Sequence, residues 1–340
     1  MLHFECDYTR GCHPEIMRRL AETNMMSTTG YGEDEFCESA RAKIRAAIGN
    51  ENAAVWFCVG GTQTNATVIA SLLKPWEGVI AANTGHVNGH EAGAIEHNGH
   101  KVITLPHDNG KISAGALSAY LKGFYADEAW RHIARPGMVY ISFPTEYGTV
   151  YSQRELDEIH AVCREYKIPL FIDGARLGYG LCAEGGDVTL ESLAKSCEVF
   201  YIGGTKVGAL FGEAVVFADK EMCPDFFTAM KQQGAVLAKG RLLGVQFDTL
   251  FTDDLYLKIS RNAVDRAAEL KNILRKKGYR FHIDSPTNQV FPIVSNEKLC
   301  QLKEQINLSI WEPHKDGWVI RLCTDWATSE EEIKELETIL

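Results

Sequence analysis

At 340 residues, with 45% hydrophobic and 24% charged side chains, the chain has the composition of a globular enzyme and enough length for a large domain with a smaller companion. A net charge of −10 and the lack of any basic stripe exclude sequence-independent nucleic-acid binding, which depends on clustered Lys and Arg. The amino terminus lacks the basic start and apolar core of a signal peptide, no apolar run reaches the roughly eighteen residues of a membrane span, and the ten cysteines contain no C-x-x-C; a cytoplasmic protein without a metal, zinc or disulfide framework is expected.

In chain order, no repeat and no Pro/Ser-rich linker divides the sequence. Short β-rich runs at residues 54–58, 79–82, 102–105, 138–143, 170–172, 199–202 and 214–217 alternate with helical stretches, predicting an α/β fold with a seven-stranded, mostly parallel, helix-covered sheet. Ser152 and Glu155 form a capping box ahead of the stripe Leu156, Ile159, Cys163 and Tyr166, and Thr189 can cap the next helix. Beyond Phe217 the rhythm changes. A long helix over 259–277 is stopped by Gly278, strands follow near 289–294 and 318–322, and a last helix is boxed by Ser329 and Glu332, which reads as a smaller carboxy-terminal α+β domain. The expected division is 1–27 accompanying the small domain, 28–250 as the large domain and 251–340 as the small one.

Several strand ends carry reactive side chains. Residues 169–176, Pro-Leu-Phe-Ile-Asp-Gly-Ala-Arg, end a buried strand at Asp173, and Gly203-Gly204-Thr205-Lys206 ends another. In an open α/β sheet the carboxyl ends of the strands form the ligand crevice, so an acid and an amine would meet there. That pair suits pyridoxal phosphate: a lysine condenses with the aldehyde as a Schiff base, and a carboxylate keeps the pyridine nitrogen protonated. Val59-Gly60-Gly61-Thr62-Gln63-Thr64-Asn65 joins a strand to a helix whose first amides, with the Thr62 hydroxyl, could cradle a phosphate; the alternative is a tight turn with Thr62 as N-cap. His86 follows the strand at 79–82, where its ring could stack on a pyridine or move a proton. His86 and His90 could instead hold a metal with Glu91, His97 or His100, but Asn88-Gly89 argues against the helical turn this requires. Glu146 closes a further strand as a candidate general base, and Arg176 and Arg321 are candidates for clamping a carboxylate.

Taken together, Gly61-Thr62-Gln63-Thr64-Asn65, His86 with Glu91-Ala92-Gly93, Asp173-Gly174-Ala175-Arg176 and Thr205-Lys206 resemble the ordered motifs of low-specificity L-threonine aldolases within the β-eliminating lyase family. The resemblance runs from about Asp7 to Arg321. It implies pyridoxal 5'-phosphate as cofactor and the aspartate aminotransferase (type I) fold. By motif, Lys206 would form the Schiff base, His86 would stack on the ring, Asp173 would face the ring nitrogen, and Gly61 and Thr62 would hold the phosphate, with Thr205 and Arg176 also among the cofactor-binding residues. Arg176 and Arg321, with Asp7 and with Tyr31 of Tyr31-Gly32-Glu33-Asp34, would meet the substrate. The family assembles as homodimers or homotetramers with shared sites.

Two departures stand out. A stretch that carries a second active-site histidine in many relatives reads Pro144-Thr145-Glu146-Tyr147-Gly148 here, a form similar to the phenylserine aldolase branch. The arginine that reaches the phosphate in many relatives aligns with Leu237, leaving Lys239 and Arg241 as candidate substitutes. The expected reaction is cleavage of a β-hydroxy-α-amino acid to glycine and an aldehyde, with His86, Glu146, Asp173 and Lys206 as the catalytic groups. The alternatives are another pyridoxal phosphate lyase, racemase or aminotransferase, a nucleotide-binding oxidoreductase suggested only by fold rhythm, and a non-catalytic paralogue.

Overall fold

In the computed structural model, which describes residues 1–340, thirteen strands form three sheets. A short first strand, β1 (Leu2–His3), precedes the seven of the large sheet: β2 (Ala54–Cys58), β3 (Glu77–Ala82), β4 (Val102–Leu105), β5 (Arg135–Ser142), β6 (Leu170–Asp173), β7 (Val199–Gly203) and β8 (Glu213–Phe217). Their spatial order is β2-β8-β7-β6-β5-β3-β4. Only β8 runs against the rest, pairing antiparallel with both β2 and β7, so it begins at the edge where the other six end. All seven predicted runs are strands of this sheet.

Both faces of the sheet are covered, which is why its strands read as continuous apolar runs. On β5, Met138 and Tyr140 face one core with Val68 and Ile69 of the helix Gly61–Leu72. Val139 and Ile141 face the other, with Leu156, Ile159 and Cys163 of the helix Gln153–Tyr166. Burying each large side chain here contributes roughly 1.5–3 kcal/mol. Both predicted capping boxes form, at Ser152 with Glu155 and at Ser329 with Glu332, and Thr189 caps its helix in a box closed by Ser192.

The small domain holds β9 (Arg280–Ile283), β10 (Gln289–Val294), β12 (Ser309–His314) and β13 (Gly317–Cys323) in the order β12-β13-β10-β9, while β11 (Ile306–Asn307), between β10 and β12 in the chain, pairs in parallel with β1. The two predicted strands are β10 and β13. Strands β9 and β12 are half-exposed and polar, and Pro313 interrupts the β12 signal. One helix, Leu255–Lys276, joins the two halves: Ala263 and Val264 lie in the large core, Ala267 and Leu270 in the small one. The N-terminal segment is likewise divided, with Leu2 and Phe4 in the small core and Ile16 in the large one. No helix is long and apolar enough to cross a membrane.

Two glycines set the geometry of the sheet edge. Gly203 donates its amide to the Gly174 carbonyl at 2.9 Å. A Cβ on Gly174 would lie 1.9 Å from the Tyr201 carbonyl oxygen, and one on Gly203 would lie 2.3 Å from that of Ala175. The ends of β6 and β7 therefore approach more closely than side chains permit, which brings Asp173 toward the loop that carries Lys206.

Candidate active site

A cavity of about 260 Å³ opens at this edge, lined among others by Gly61, Thr62, His86, Glu146, Asp173, Arg176, Thr205 and Lys206. Eight residues singled out from sequence thus converge on one volume, although they come from strand ends and loops far apart in the chain.

Asp173, the last residue of β6, is 4% exposed and its carboxylate is fully engaged. Its Oδ1 accepts from the Tyr201 hydroxyl at 2.5 Å and the Ala175 amide at 2.9 Å, and Oδ2 from the Tyr140 hydroxyl at 2.5 Å and Asn65 Nδ2 at 3.0 Å. Burial alone would raise its pKa; His86, Tyr140, Tyr201 and Asn65 outweigh it and hold the carboxyl below its usual range. Asp173 is a buried anion at the cavity wall.

Asn65 links this carboxylate to a second one. Its Nδ2 also donates to Glu91 Oε1 at 2.7 Å, and the same oxygen meets His86 Nδ1 at 2.8 Å. The His86 amide donates to Glu146 Oε1 at 2.9 Å, which accepts from the Ser142 hydroxyl at 2.6 Å. One side of His86 is thereby fixed by Glu91, leaving Nε2 for the cavity. Burial pushes the Glu146 carboxyl up, partly offset by Ser142 and backbone hydrogen bonds.

The helix Gly61–Leu72 points its N-terminus at the cavity. Gly60, in extended conformation, is the N-cap and makes no side-chain cap bond, so the turn with Thr62 as N-cap does not form; Thr62 is inside the first turn with its hydroxyl uncommitted to capping. The first intrahelical donor is the Thr64 amide, to the Gly60 carbonyl. The amides before it remain available to an anion.

On the opposite wall, burial and the Arg176 guanidinium lower the proton affinity of Lys206, against Asp7, Asp173 and Glu213, which raise it. Thr205 Oγ1 accepts from the Gly212 amide at 3.0 Å, bracing the lysine loop. Lys206 Nζ lies 5.8 Å from the Tyr8 ring centroid.

The remaining candidates are placed differently. The Arg176 fork closes on Asp7, with Nε to Oδ2 at 2.6 Å and an Nη to Oδ1 at 2.9 Å, so this fork is occupied within the chain. Arg321, on β13, does not line the cavity; it reaches Gln289 Oε1 at 3.2 Å, the Glu5 carbonyl at 3.2 Å and Ser309 Oγ at 3.3 Å, with its Nε buried and unpartnered. Tyr31 lies half-exposed beside a separate groove with Arg41, Trp56 and Phe227, its backbone at φ 61°. Lys239 is exposed, and Arg241 caps the end of the helix Pro14–Thr23 through the carbonyls of Thr23, Asn24 and Met26. Neither Lys239 nor Arg241 reaches the cavity of its own chain. At His86 the structure corrects one expectation: a single helical turn, His86–Gly89, does form, because one turn needs few hydrogen bonds and the conformational cost of one glycine is small. The rings of His86 and His90 stand 5.7 Å apart, but no group of three or more His, Cys, Asp or Glu side chains is arranged to hold a metal ion.

Sequence reading gave Asn65 no role beyond its place in the Gly61–Asn65 motif and missed Tyr140, Tyr201, Ser142 and Glu213. The two tyrosines interrupt strands that are otherwise apolar, which is a usable signal for a buried polar partner. Glu213 carried no signal, since nothing in the sequence states that β8 runs backwards and starts at the site.

The profile of the beta-eliminating lyase family matches residues 4–269. A threonine aldolase from Leishmania major is 40% identical in sequence and superimposes with a TM-score of 0.96, covering 100% of this chain and 98% of that one. A low specificity L-threonine aldolase from Pseudomonas aeruginosa is 28% identical over 98% of this chain and 95% of its own. An aspartate aminotransferase from Thermus thermophilus, 16% identical with a TM-score of 0.73 over 100% of this chain and 92% of that one, shares the fold. The chain belongs to the beta-eliminating lyase family and has the type I fold of pyridoxal phosphate enzymes.

Proposed function

We propose that this protein cleaves β-hydroxy-α-amino acids to glycine and an aldehyde with pyridoxal phosphate as cofactor. The observation that carries the reading is one cavity holding an ionised, buried carboxylate (Asp173), a buried amine of lowered proton affinity (Lys206), and a free helix N-terminus at Gly61 and Thr62. These suit, respectively, the ring nitrogen, aldehyde and phosphate of that cofactor. A Cβ on Gly61 would come within 3.2 Å of the Tyr201 hydroxyl, so a side chain there would crowd the cradle. The chemistry supplied by the cofactor when bound is an aldehyde for condensation with an amine and a ring that accepts the electrons of the breaking bond.

The chain's own residues would do the rest. Lys206 would anchor the cofactor, Asp173 would keep a positive charge on the ring nitrogen, and Thr62 with the free amides of its helix would hold the phosphate, while Thr205 braces the lysine loop. His86, oriented through Nδ1 by Glu91, takes the β-hydroxyl proton at Nε2. Glu146, whose raised pKa brings it nearer neutrality, is the second candidate for holding that proton. Arg321, the one of the two arginines that forms no ion pair within the chain, is the group we assign to the substrate carboxylate; Arg176 contributes by fixing Asp7 beside Lys206.

We further propose a cytoplasmic homodimer or homotetramer with shared sites. In support, all ten cysteines are unpaired, and Met25, Met26, Tyr31 and Leu210 are large apolar side chains left exposed. Incubating the cofactor-loaded protein with L-threonine, L-allo-threonine and L-phenylserine tests the activity. Glycine with the matching aldehyde is expected, with phenylserine as the arm that probes Glu146. 2-Oxobutyrate from either threonine, or phenylpyruvate from phenylserine, released with ammonia would instead favour β-elimination, the reaction in the family's name.

A further inference from the structure

Glu213 heads the antiparallel strand β8, opposite Cys58 of β2 and Gly203 of β7, and lines the same cavity as Lys206. Only 3% of it is exposed. One oxygen accepts the Gly204 amide at 3.0 Å, and the Thr205 hydroxyl is near enough to favour the charged carboxylate; both residues immediately precede Lys206. No arginine or histidine forms an ion pair with it. A buried carboxylate with only neutral donors and no fixed cation is costly unless it protonates or a neighbouring cation neutralises it. Two cations line this cavity; Arg176 is held by Asp7, which leaves the Lys206 amine, not itself in ion-pair contact with Glu213, as the uncommitted one.

We propose that Glu213 is a positioning partner of Lys206: acting across the cavity through the field between them and not by contact, the buried carboxyl and the lysine nitrogen, free or condensed with the cofactor, hold one proton between them at neutral pH. In balanced form, the Lys206 ammonium and the Glu213 carboxylate exchange one proton to give a free amine and a carboxylic acid, with no change in total charge. The electrostatics agree with the geometry. Burial pushes the Glu213 carboxyl up to about 8, against the pull of Thr205 and Lys206, while burial and Arg176 lower Lys206. Other titratable groups facing the pair are Asp173 on β6, Tyr201 on β7, Cys58 on β2, Tyr256 on the helix Leu255–Lys276, and Asp7 with Arg176 beside the amine. Asp173 keeps its charge through its four hydrogen-bond donors, so its negative field favours keeping the shared proton on the pair.

This inference rests on Lys206 being the cofactor-bearing amine, and its test separates the two claims. The visible absorbance of the cofactor-loaded protein is titrated against pH for wild type, Glu213→Gln and Glu213→Asp. Gln keeps an acceptor for the Gly204 amide but cannot ionise. In the wild type two coupled groups release protons in two macroscopic steps. The expected result is a broad, two-step curve for wild type and a single step for Glu213→Gln, lying about one pH unit or more below the last wild-type step. Superimposable wild-type and Glu213→Gln curves overturn the proposal while leaving the cofactor reading intact. Absence of any visible absorbance in loaded wild type removes the cofactor reading and this proposal with it. Should Glu213→Gln fail to fold, Glu213→Asp decides: withdrawing the carboxyl by one methylene narrows the separation between the steps, and an unchanged separation overturns the proposal.

Discussion

Replacing Asp7 by Asn removes one charge from a pair that is otherwise shut away from water. The Asp7 side chain is fully buried and that of Arg176 is 13% exposed, and the carboxylate also accepts from Asn288 Nδ2 at 2.9 Å. Burial opposes the charged form, but Arg176, Lys206 and Asn288 pull the carboxyl down from 3.8 to about 2. A gap of that size corresponds to about 2 kcal/mol of preferential stabilisation of the ionised folded state. The variant also strands the Arg176 guanidinium in a buried site, and breaking a buried pair in this way costs about 3–5 kcal/mol. Asp7→Asn is therefore expected to lose roughly 3–5 kcal/mol in equilibrium urea unfolding at pH 7. The sign with pH follows from the lowered folded pKa: the stabilisation is fully present above the unfolded value near 4 and is lost as pH falls through about 2. The gap between wild type and variant should hold from pH 7 to about 5 and narrow below about 4. A difference under about 1 kcal/mol at pH 7, or one that does not shrink in acid, would refute the reasoning.

Three further outcomes are expected. Lys206→Ala should load no cofactor with visible absorbance and release no glycine; a spectrum and activity like wild type would remove the anchor assignment. Tyr140→Phe deletes a 2.5 Å hydrogen bond to Asp173, and since bonds to charged groups contribute about 1.5–3 kcal/mol, fluorescence titration should show cofactor affinity weakened roughly tenfold or more. Glu91→Gln should leave cofactor affinity near wild type and cut glycine release by about tenfold to a hundredfold, because His86 loses the carboxylate that sets its tautomer; unchanged turnover would show that Glu91 only packs.

Much of this molecule could be read from the chain alone. Apolar runs near 54–58, 138–143 and 199–202 specify buried strands because both sheet faces are covered, and capping boxes such as Ser152 with Glu155 are local hydrogen-bond codes that hold in any context. Asp173, Lys206, Gly61 and His86 were also legible, since reactive side chains at the carboxyl ends of parallel strands share one crevice whatever the strand order. Orientation and partnership were not. Whether Arg176 meets a ligand or Asp7 depends on a residue near the amino terminus, 169 positions away, and whether Lys239 or Arg241 faces the cavity depends on how a loop turns after β8. Glu213 shows the difference most plainly: its sequence neighbours mark it only as the start of a strand, and the reversed direction of β8 alone carries it to the lysine. Periodicity and capping act over a few residues, so the sequence by itself determined the elements and the ends at which chemistry gathers; strand direction and charge pairing join distant segments, and only the tertiary structure decided them.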